Sequence, residues 1–273
     1  IYTGEDTLSL HDALPICLPV VTGAWQHQGG GALYNFGELY HWDKTVIEGL
    51  DARDLSVRQL DQSRIGPVLA GEAGALAGGG PVHALLIQNT NPMCVAPELA
   101  KVHRGFARPD LYTVVHEQFL TDTARMADIV LPATMFLEHA DIYQAGAHPT
   151  IQVHKPVLEP FAECRSNHYV HCELARRLGA THPGFAMSEW ELIDDLLHRS
   201  GWPDAETVHA AGGWSIEPDF RKAHHLDGFP TPEGRFRFKP DWAGLGPDGH
   251  LMPKLPDHMP PGDAPTPARP YRM

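Results

Sequence analysis

The chain has 273 residues, of which 42% are hydrophobic, and its formal net charge is −13. This length suffices for one large or two modest globular units, and the acidic balance argues against a nucleic acid as the partner. Since no apolar run approaches the roughly 20 residues of a membrane-spanning helix, we predict a soluble protein without a membrane span.

The first 16 residues are predicted to be non-native. The run from Thr7 to Ile16 resembles one reading frame of a common short-read sequencing adapter, and Ile1 to Thr3 resembles the stretch just before the adapter index. The alternative is a genuine amphipathic helix with the leucines of this segment on one side. We expect native sequence to begin near Cys17 and residues 1–16 to be dispensable.

A glycine-rich turn follows an apolar start within residues 18–31. Gly29, Gly30 and Gly31 permit the backbone to approach a ligand closely, at a cost in chain entropy. The turn lacks the Lys-Ser/Thr pair of a P-loop and the spacing of a dinucleotide fingerprint. On the residues alone, contact with a cofactor and a plain flexible turn both stay open.

The first predicted strand, Ala84 to Gln88, runs into the polar sequence Asn-Thr-Asn-Pro. Asn89 and Asn91 offer both hydrogen-bond donors and acceptors, and Pro92 ends the strand. A helix predicted from Ala96 to Phe106 directs free N–H groups toward the same place. Such an end suits a phosphate group and the edge of a base. An ordinary strand-to-helix turn is the more common explanation of an isolated Asn-Pro, so this segment alone decides nothing.

Two more strands are predicted, at Tyr112 to His116 and at Asp128 to Leu131. Polar residues follow the first of them, and Thr121, Asp122 and Thr123 can cap a short helix between the two strands. Near-continuous apolar strands are typical of a parallel sheet. We therefore predict that these strands and Ala84 to Gln88 are neighbours whose following loops share the carboxyl edge of one sheet.

The ordered set from Leu85 to Glu138 resembles the molybdopterin oxidoreductases of the dimethyl sulfoxide reductase family. The cofactor-binding half of that family carries an Asn-Pro turn and then a run ending in Thr-Ala-x-x-Ala-Asp-Ile-Val-Leu-Pro, which occurs here at residues 123–132. The resemblance implies one half of a bis(molybdopterin guanine dinucleotide) cofactor with molybdenum. The predicted cofactor contacts are Gly29, Gly30, Gly31, Gln88, Asn89, Asn91, Pro92, His116, Glu117, Gln118, Thr121, Thr123 and Asp128.

The resemblance also implies the chemistry of a parent enzyme. Its members exchange oxygen atoms, electrons or protons with a small substrate, so an electron-transfer partner is a further expectation. Their molybdenum ligand lies upstream of the region covered here, and a 4Fe–4S cluster, where present, lies near the N-terminus. The alternatives are a molybdenum-free scaffold subunit of a respiratory complex and a generic nucleotide-binding α/β module. We expect a cytoplasmic location and assign no catalytic residue.

The cysteines and histidines of this chain form no metal motif. The four cysteines show no Cys-x-x-Cys spacing, and four in so long a chain do not make a disulfide framework. The 18 histidines include no His-Glu-x-x-His sequence, and the pair His224-His225 is expected to be solvated. We predict no metal ligand in the chain.

The predicted fold class is α/β, with an open, mostly parallel sheet flanked by helices and followed by a linker toward a missing β-barrel cap. Beyond the central sheet we predict a strand at Thr150 to His154, a helix at Asn167 to Leu178 and a helix capped by Ser188. A further strand is predicted within Phe229 to Phe238. The predicted domains are the adapter-like residues 1–16, a cofactor-binding region at 17–205, and a linker with the start of a truncated cap at 206–273.

Overall fold

A computed structural model describes residues 17–32, 37–239 and 267 of the chain. The chain divides into two compact units. The glycine-turn unit comprises residues 1–36, 146–148 and 216–273, and the sheet unit comprises residues 37–145 and 149–215. The adapter-like residues 1–16 and nearly all of the predicted linker beyond Lys239 lie outside the described residues. The predicted domain boundaries therefore stay a prediction.

Helices and strands alternate through the middle of the chain. The helices are α1 at residues 17–21, α2 (Ile65–Leu69), α3 (Pro92–Val95), α4 (Leu99–Phe106), α5 (Asp122–Arg125), α6 (Asn167–Leu178), α7 (Glu189–Arg199), α8 (Ala205–Ala210) and α9 (Phe220–Ala223). The strands are β1 (Ala84–Gln88), β2 (Tyr112–Glu117), β3 (Ile129–Pro132), β4 (Asp141–Tyr143), β5 (Thr150–His154) and β6 (Trp214–Ser215). Among the described residues, no helix is long and apolar enough to cross a membrane.

Strands β1, β2 and β3 form one three-stranded parallel sheet in that order. Gln88 of β1 lies opposite His116 of β2, and His116 lies opposite Leu131 of β3. The predicted neighbours and their parallel direction are confirmed. Because parallel strands end at the same edge, the loops that follow β1 and β2 meet at the carboxyl edge of this sheet.

A hydrophobic core lies between this sheet and the helices around it. Its buried members are Leu69, Ile87, Met93, Val102, Phe106, Leu111, Val115 and Ala124. Apart from Leu111, which directly precedes β2, they come from α2, β1, α3, α4, β2 and α5, so each of these elements is anchored by an apolar side chain. Burial of a leucine, valine or phenylalanine side chain stabilises a fold by about 1.5–3 kcal/mol. The core therefore anchors the strands and helices that lead into and out of the loops at the carboxyl edge.

The helix predicted from Ala96 to Phe106 is shorter than expected. Pro92 begins the separate helix α3, because its fixed φ suits the first position of a helix. Ala96 then returns to an extended conformation, and Glu98 takes a left-handed one with φ 55°. Helix α4 consequently begins at Leu99. The predicted helix is confirmed except at its start, which lies three residues later than expected because Ala96 and Glu98 leave the helical conformation.

A second three-stranded sheet makes the fold less parallel than predicted. Strands β4, β5 and β6 pair in antiparallel fashion, with β5 in the centre. The predicted strand at Thr150 to His154 is confirmed as β5, and the predicted helices are confirmed as α6 and α7. Ser188 forms a capping box with Glu191 at the start of α7. The structure is thus a mixed α/β arrangement with one parallel and one antiparallel sheet.

The strand predicted within Phe229 to Phe238 is absent, although this segment belongs to the described part of the glycine-turn unit. The chain makes a tight turn there instead. The N–H of Gly234 donates to the carbonyl of Thr231, and the N–H of Phe229 donates to the carbonyl of Gly234. The alternation of aromatic and basic residues that suggested a strand follows this turn, where the backbone is irregular.

Candidate functional site

The loop after β1 starts with a backbone turn at Asn89. This residue has a left-handed conformation with φ 49°, which asparagine tolerates better than most residues. Its N–H donates to the carbonyl of His116 at 3.0 Å, and its side-chain amide donates to Oδ1 of Asn167 at 3.3 Å. Asn167 is the first residue of α6 and is exposed. The turn therefore brings the amide of Asn89 to the carboxyl edge beside the start of a helix.

Asn91 connects the loop after β1 to the helix after β2. Its Oδ1 accepts hydrogen bonds from the hydroxyl of Thr123 at 2.7 Å and from the N–H of Thr123 at 3.2 Å. The Thr123 hydroxyl in turn accepts from the N–H of Met93 at 3.1 Å. Asn91 precedes α3, but its side chain does not cap that helix. The two loops are thus joined by side-chain hydrogen bonds.

The end of β2 and the loop that follows it contribute Glu117, Gln118 and Thr121. The carboxylate of Glu117 accepts from the N–H of Gln118 at 2.7 Å, and the side-chain amide of Gln118 donates to the carbonyl of Thr134 at 2.8 Å. Thr121 caps α5, because its hydroxyl accepts from the N–H of Ala124. The predicted cap is confirmed. The Thr121 hydroxyl is used in capping α5, whereas the side chains of Glu117 and Gln118 place polar atoms at the carboxyl edge of the sheet.

The structure does not place His116 where a ligand would contact it directly. The side chain is fully buried, and both ring nitrogens are occupied. Nε2 lies 2.9 Å from the carbonyl of Arg165, and Nδ1 lies 3.2 Å from the amide nitrogen of Gln88. The prediction of direct contact is corrected for this residue. His116 and Gln88 instead form a polar link beneath the edge.

Two other predicted contacts are not available to a ligand at the carboxyl edge. Asp128 comes just before β3, so it lies at the amino edge of the sheet, where its carboxylate accepts from the N–H of Thr113 at 2.7 Å. Pro92 is buried at the first turn of α3. Both placements follow from chain order and proline geometry. We correct these two residues to structural roles.

Cys94 and Asp122 form a contact next to the Asn91 turn. The thiol of Cys94 donates to Oδ2 of Asp122 at 3.0 Å. This hydrogen bond, together with burial and the negative charge of Asp122, raises the pKa of the Cys94 thiol, while a hydrogen bond with the Asn91 side chain acts in the opposite direction. A raised pKa keeps the thiol protonated near neutral pH. Cys94 is therefore poorly suited to act as a nucleophile or a metal ligand.

Gly29, Gly30 and Gly31 belong to the glycine-turn unit, whereas the other predicted contacts belong to the sheet unit. A Cβ on Gly30 would lie 2.0 Å from the carbonyl oxygen of Ala24, and a Cβ on Gly31 would lie 2.8 Å from the ring of Trp25. Gly29 and Gly31 also have positive φ. The turn itself thus requires glycine at these positions. Contact of this turn with a cofactor stays a prediction.

Glu138, which follows the Leu-Pro sequence, ties two loop segments together. Its carboxylate accepts from the N–H of Met135 at 2.7 Å and from the N–H of Phe161 at 2.8 Å. Both oxygens are therefore engaged with backbone. Hydrogen bonds to a charged acceptor are stronger than neutral ones. The position of Glu138 in the motif is explained by loop structure, independently of any ligand.

Arg165 is a residue at this edge that the sequence did not reveal. It forms an isolated parallel bridge with Ala133, and its carbonyl accepts from His116. Its exposed guanidinium lies 5.6 Å from the ring of Tyr169, next to the first turn of α6. A cation beside the N-terminus of a helix suits an anion. The available signal was a basic residue directly before the Ser166 helix cap.

The described residues contain no group of three or more His, Cys, Asp or Glu side chains that could hold a metal ion. The carboxyl edge instead offers amides at Asn89, Asn91 and Gln118, a carboxylate at Glu117 and a guanidinium at Arg165. These groups supply donors and acceptors for a base edge and a positive charge for a phosphate. The arrangement fits a nucleotide better than a bare cation.

Replacing Asn89 by alanine is expected to lower the free energy of unfolding by about 1 kcal/mol, because alanine tolerates the left-handed conformation poorly. Asn89→Gly should stay within about 0.5 kcal/mol of the natural sequence, since glycine adopts positive φ freely. Urea denaturation of the three proteins measures both values. Equal losses in the two variants would show that the Asn89 side chain, and not its backbone conformation, carries the effect.

Comparisons with known proteins agree with this arrangement. The family model "Molybdopterin oxidoreductase" matches residues 47–177, which include β1, β2, β3 and the loops at their carboxyl edge. The solved structure of acetylene hydratase from Pelobacter acetylenicus superposes with a TM-score of 0.54 and 25% sequence identity, over 73% of this chain and 27% of that chain. The resemblance extends from motifs to tertiary structure.

Two curated relatives are also similar to this chain. The chain is 34% identical to the probable oxidoreductase YoaE of Bacillus subtilis, over 89% of this chain and 35% of that protein. It is 40% identical to trimethylamine-N-oxide reductase of Haemophilus influenzae, over 60% of this chain and 22% of that protein. The chain thus spans about a third or less of the length of these relatives. The matched motifs, the fold and these relatives together show that the chain belongs to the molybdopterin oxidoreductase family.

Proposed function

We propose that the carboxyl edge of the β1–β3 sheet binds the guanosine diphosphate end of a molybdopterin guanine dinucleotide. The observation that carries this proposal is the meeting of the Asn89–Asn91 turn and the Glu117–Gln118 turn at one edge of a parallel sheet. Ligands of open α/β sheets bind outside the carboxyl ends of the strands. Membership in the molybdopterin family supports a nucleotide that is joined to a pterin.

Different residues of the carboxyl edge suit different parts of the nucleotide. The amides of Asn89 and Gln118 offer donors and acceptors for the base, and the carboxylate of Glu117 can accept from base N–H groups or ribose hydroxyls. The guanidinium of Arg165 and the N–H groups at the start of α6 suit a phosphate. When bound, the cofactor would supply molybdenum redox chemistry. The chain would contribute binding and orientation.

The parent protein is accordingly proposed to be a molybdenum-dependent oxidoreductase that acts on a small molecule and contains a bis(molybdopterin guanine dinucleotide). The names of the relatives include reductases and dehydrogenases with different substrates, which supports the class of chemistry and leaves the substrate open. A 4Fe–4S cluster and an electron-transfer partner belong to this proposal for the whole protein. Molybdenum and pterin content of the complete protein distinguishes the enzyme from a molybdenum-free subunit with the same fold.

Calorimetric titration of the 273-residue chain with GDP tests the binding edge. We expect saturable binding of GDP. Its affinity should weaken about tenfold in Asn91→Ala, because this variant lacks the partly buried side chain that accepts hydrogen bonds from Thr123. Gln152→Ala is the matched control, because Gln152 is exposed on β5 in the antiparallel sheet. Its affinity should stay within about twofold. Absence of saturable binding, or equal losses in the two variants, would contradict the proposed site.

A further inference from the structure

Thr123 is buried completely, although its polar atoms lie between the two loops of the candidate site. It is the second residue of α5, and its relative exposure is 0%. A side chain without exposed surface cannot touch a ligand. Its predicted direct contact with a cofactor is therefore corrected. The Thr123 hydroxyl nevertheless lies next to the apolar core residues Met93 and Ala124.

The hydroxyl of Thr123 has partners on another loop, far away in sequence. It donates to Oδ1 of Asn91 at 2.7 Å and accepts from the N–H of Met93 at 3.1 Å. The N–H of Thr123 donates to the same Asn91 oxygen at 3.2 Å. Because a backbone N–H can only donate, the Asn91 atom that faces it must be the oxygen, which fixes the orientation of this amide.

Fixing the Asn91 amide has a consequence for binding. With Oδ1 turned inward to Thr123, the Asn91 side chain also forms a hydrogen bond with the Cys94 thiol, so the amide is held in one orientation. Further support comes from α4, where Nε2 of His103 lies 3.2 Å from the carbonyl of Met93. A ligand would then bind to a loop that is already ordered. The free energy of binding would not be reduced by the cost of ordering that loop.

We propose that Thr123 is a positioning residue, which holds Asn91 and Met93 so that the loops after β1 and β2 form one preorganised surface. The proposal rests on the proposed nucleotide-binding function of that surface. It differs from a purely stabilising role because it assigns the effect to the hydroxyl and confines it to one turn. Valine has nearly the shape of threonine and lacks the hydroxyl, whereas serine keeps the hydroxyl and lacks the methyl group.

The test compares Thr123→Val, Thr123→Ser and the control Thr113→Val. Thr113 is also a buried threonine of the sheet unit, at 1% exposure, but it lies near the amino edge in β2. Two quantities are measured in each protein: the amide hydrogen-exchange rates of residues 89–93 without ligand, and the affinity for GDP. We expect Thr123→Val to accelerate this exchange and to weaken GDP binding by about tenfold each, which corresponds to one lost hydrogen bond.

Thr123→Ser and Thr113→Val should change exchange at residues 89–93 and GDP affinity by less than about threefold. Unchanged exchange at residues 89–93 in Thr123→Val would overturn the proposal, as would a uniform acceleration across the sheet unit. If the natural chain binds no GDP, the proposed nucleotide site fails, and the local exchange pattern still decides whether Thr123 positions the turn.

Asn91→Ala provides a second variant in case Thr123→Val does not fold. Asn91 is partly exposed, and its replacement removes the oxygen that accepts both hydrogen bonds from Thr123. The amides of Thr123 and Met93 should then exchange about tenfold faster. Protection of both amides at the level of the natural chain would overturn the proposal.

Discussion

Replacing His116 by alanine is expected to lower the free energy of unfolding by about 3–4 kcal/mol. The imidazole is fully buried in β2, so its removal leaves a cavity in a packed region. The carbonyl of Arg165 loses its donor, and the amide of Gln88 loses its partner. An unsatisfied buried polar group alone costs about 1–3 kcal/mol. The cavity and the lost hydrogen bonds act in the same direction.

The hydrogen bonds also define the form of the ring. A backbone carbonyl can only accept, so Nε2 of His116 must carry the proton that it donates to Arg165. In the neutral ring, Nδ1 is then an acceptor for the amide of Gln88. This pattern joins β1, β2 and the segment at Arg165 through one side chain. The alanine variant should therefore loosen the carboxyl edge as well as the core.

Urea denaturation of His116→Ala and His198→Ala provides the measurement and its control. His198 lies on α7 with a side chain that is 61% exposed, and its Nδ1 lies 3.3 Å from Oδ2 of Asp194. Exposed pairs of this kind contribute little, so this variant should stay within about 0.5 kcal/mol of the natural chain. A loss below about 1 kcal/mol in His116→Ala would show that the ring is not an integral part of the packed sheet.

The local elements were predictable from sequence because their signals are local. Thr121 and Ser188 cap helices through hydrogen bonds to residues three positions later, and such spacing is visible in the chain. The three parallel strands were predictable because each is a short apolar run that ends in polar residues. Chain order also placed the loops after β1 and β2 at one edge. These features need no knowledge of distant contacts.

The roles of individual polar residues depend on distant contacts. His116 meets Arg165 across 49 positions, and Thr123 meets Asn91 across 32 positions. The alternation of side chains along a strand indicates on which face of the sheet a side chain lies. It does not indicate whether a carbonyl group from a distant segment lies close to that side chain. Asp128 is different, because its position before β3 already implied the amino edge.

Gly105→Ala is expected to destabilise the sheet unit by about 2 kcal/mol, although alanine is the better helix former. Gly105 lies in α4 where this helix packs against α2, and a Cβ at this position would lie 2.4 Å from Cβ of Leu69. Leu69 is 1% exposed and belongs to the core, and its Cβ cannot rotate away. The two helices must therefore separate.

Gly105→Ala changes the free energy of unfolding through two opposing effects, helix propensity and steric overlap. Alanine gains about 1 kcal/mol over glycine in a helix interior, whereas overpacking of a core costs about 1–3 kcal/mol. A contact that involves two rigid Cβ atoms belongs at the upper end of that range. We therefore expect the steric cost to exceed the gain in helix propensity and the separation of α2 and α4 to disturb the support of the Asn91 turn.

Gly74→Ala is the matched control for this effect. Gly74 lies in the short 3₁₀ helix Ala73–Ala75 of the same unit, and a Cβ there would meet nothing within 4 Å. The same chemical change should leave stability unchanged or raise it by up to about 1 kcal/mol. Chemical denaturation of both variants measures the difference. Equal unfolding free energies for Gly105→Ala and Gly74→Ala would mean that α2 and α4 can adjust to the added methyl group and that their close approach at Gly105 is not required by the fold.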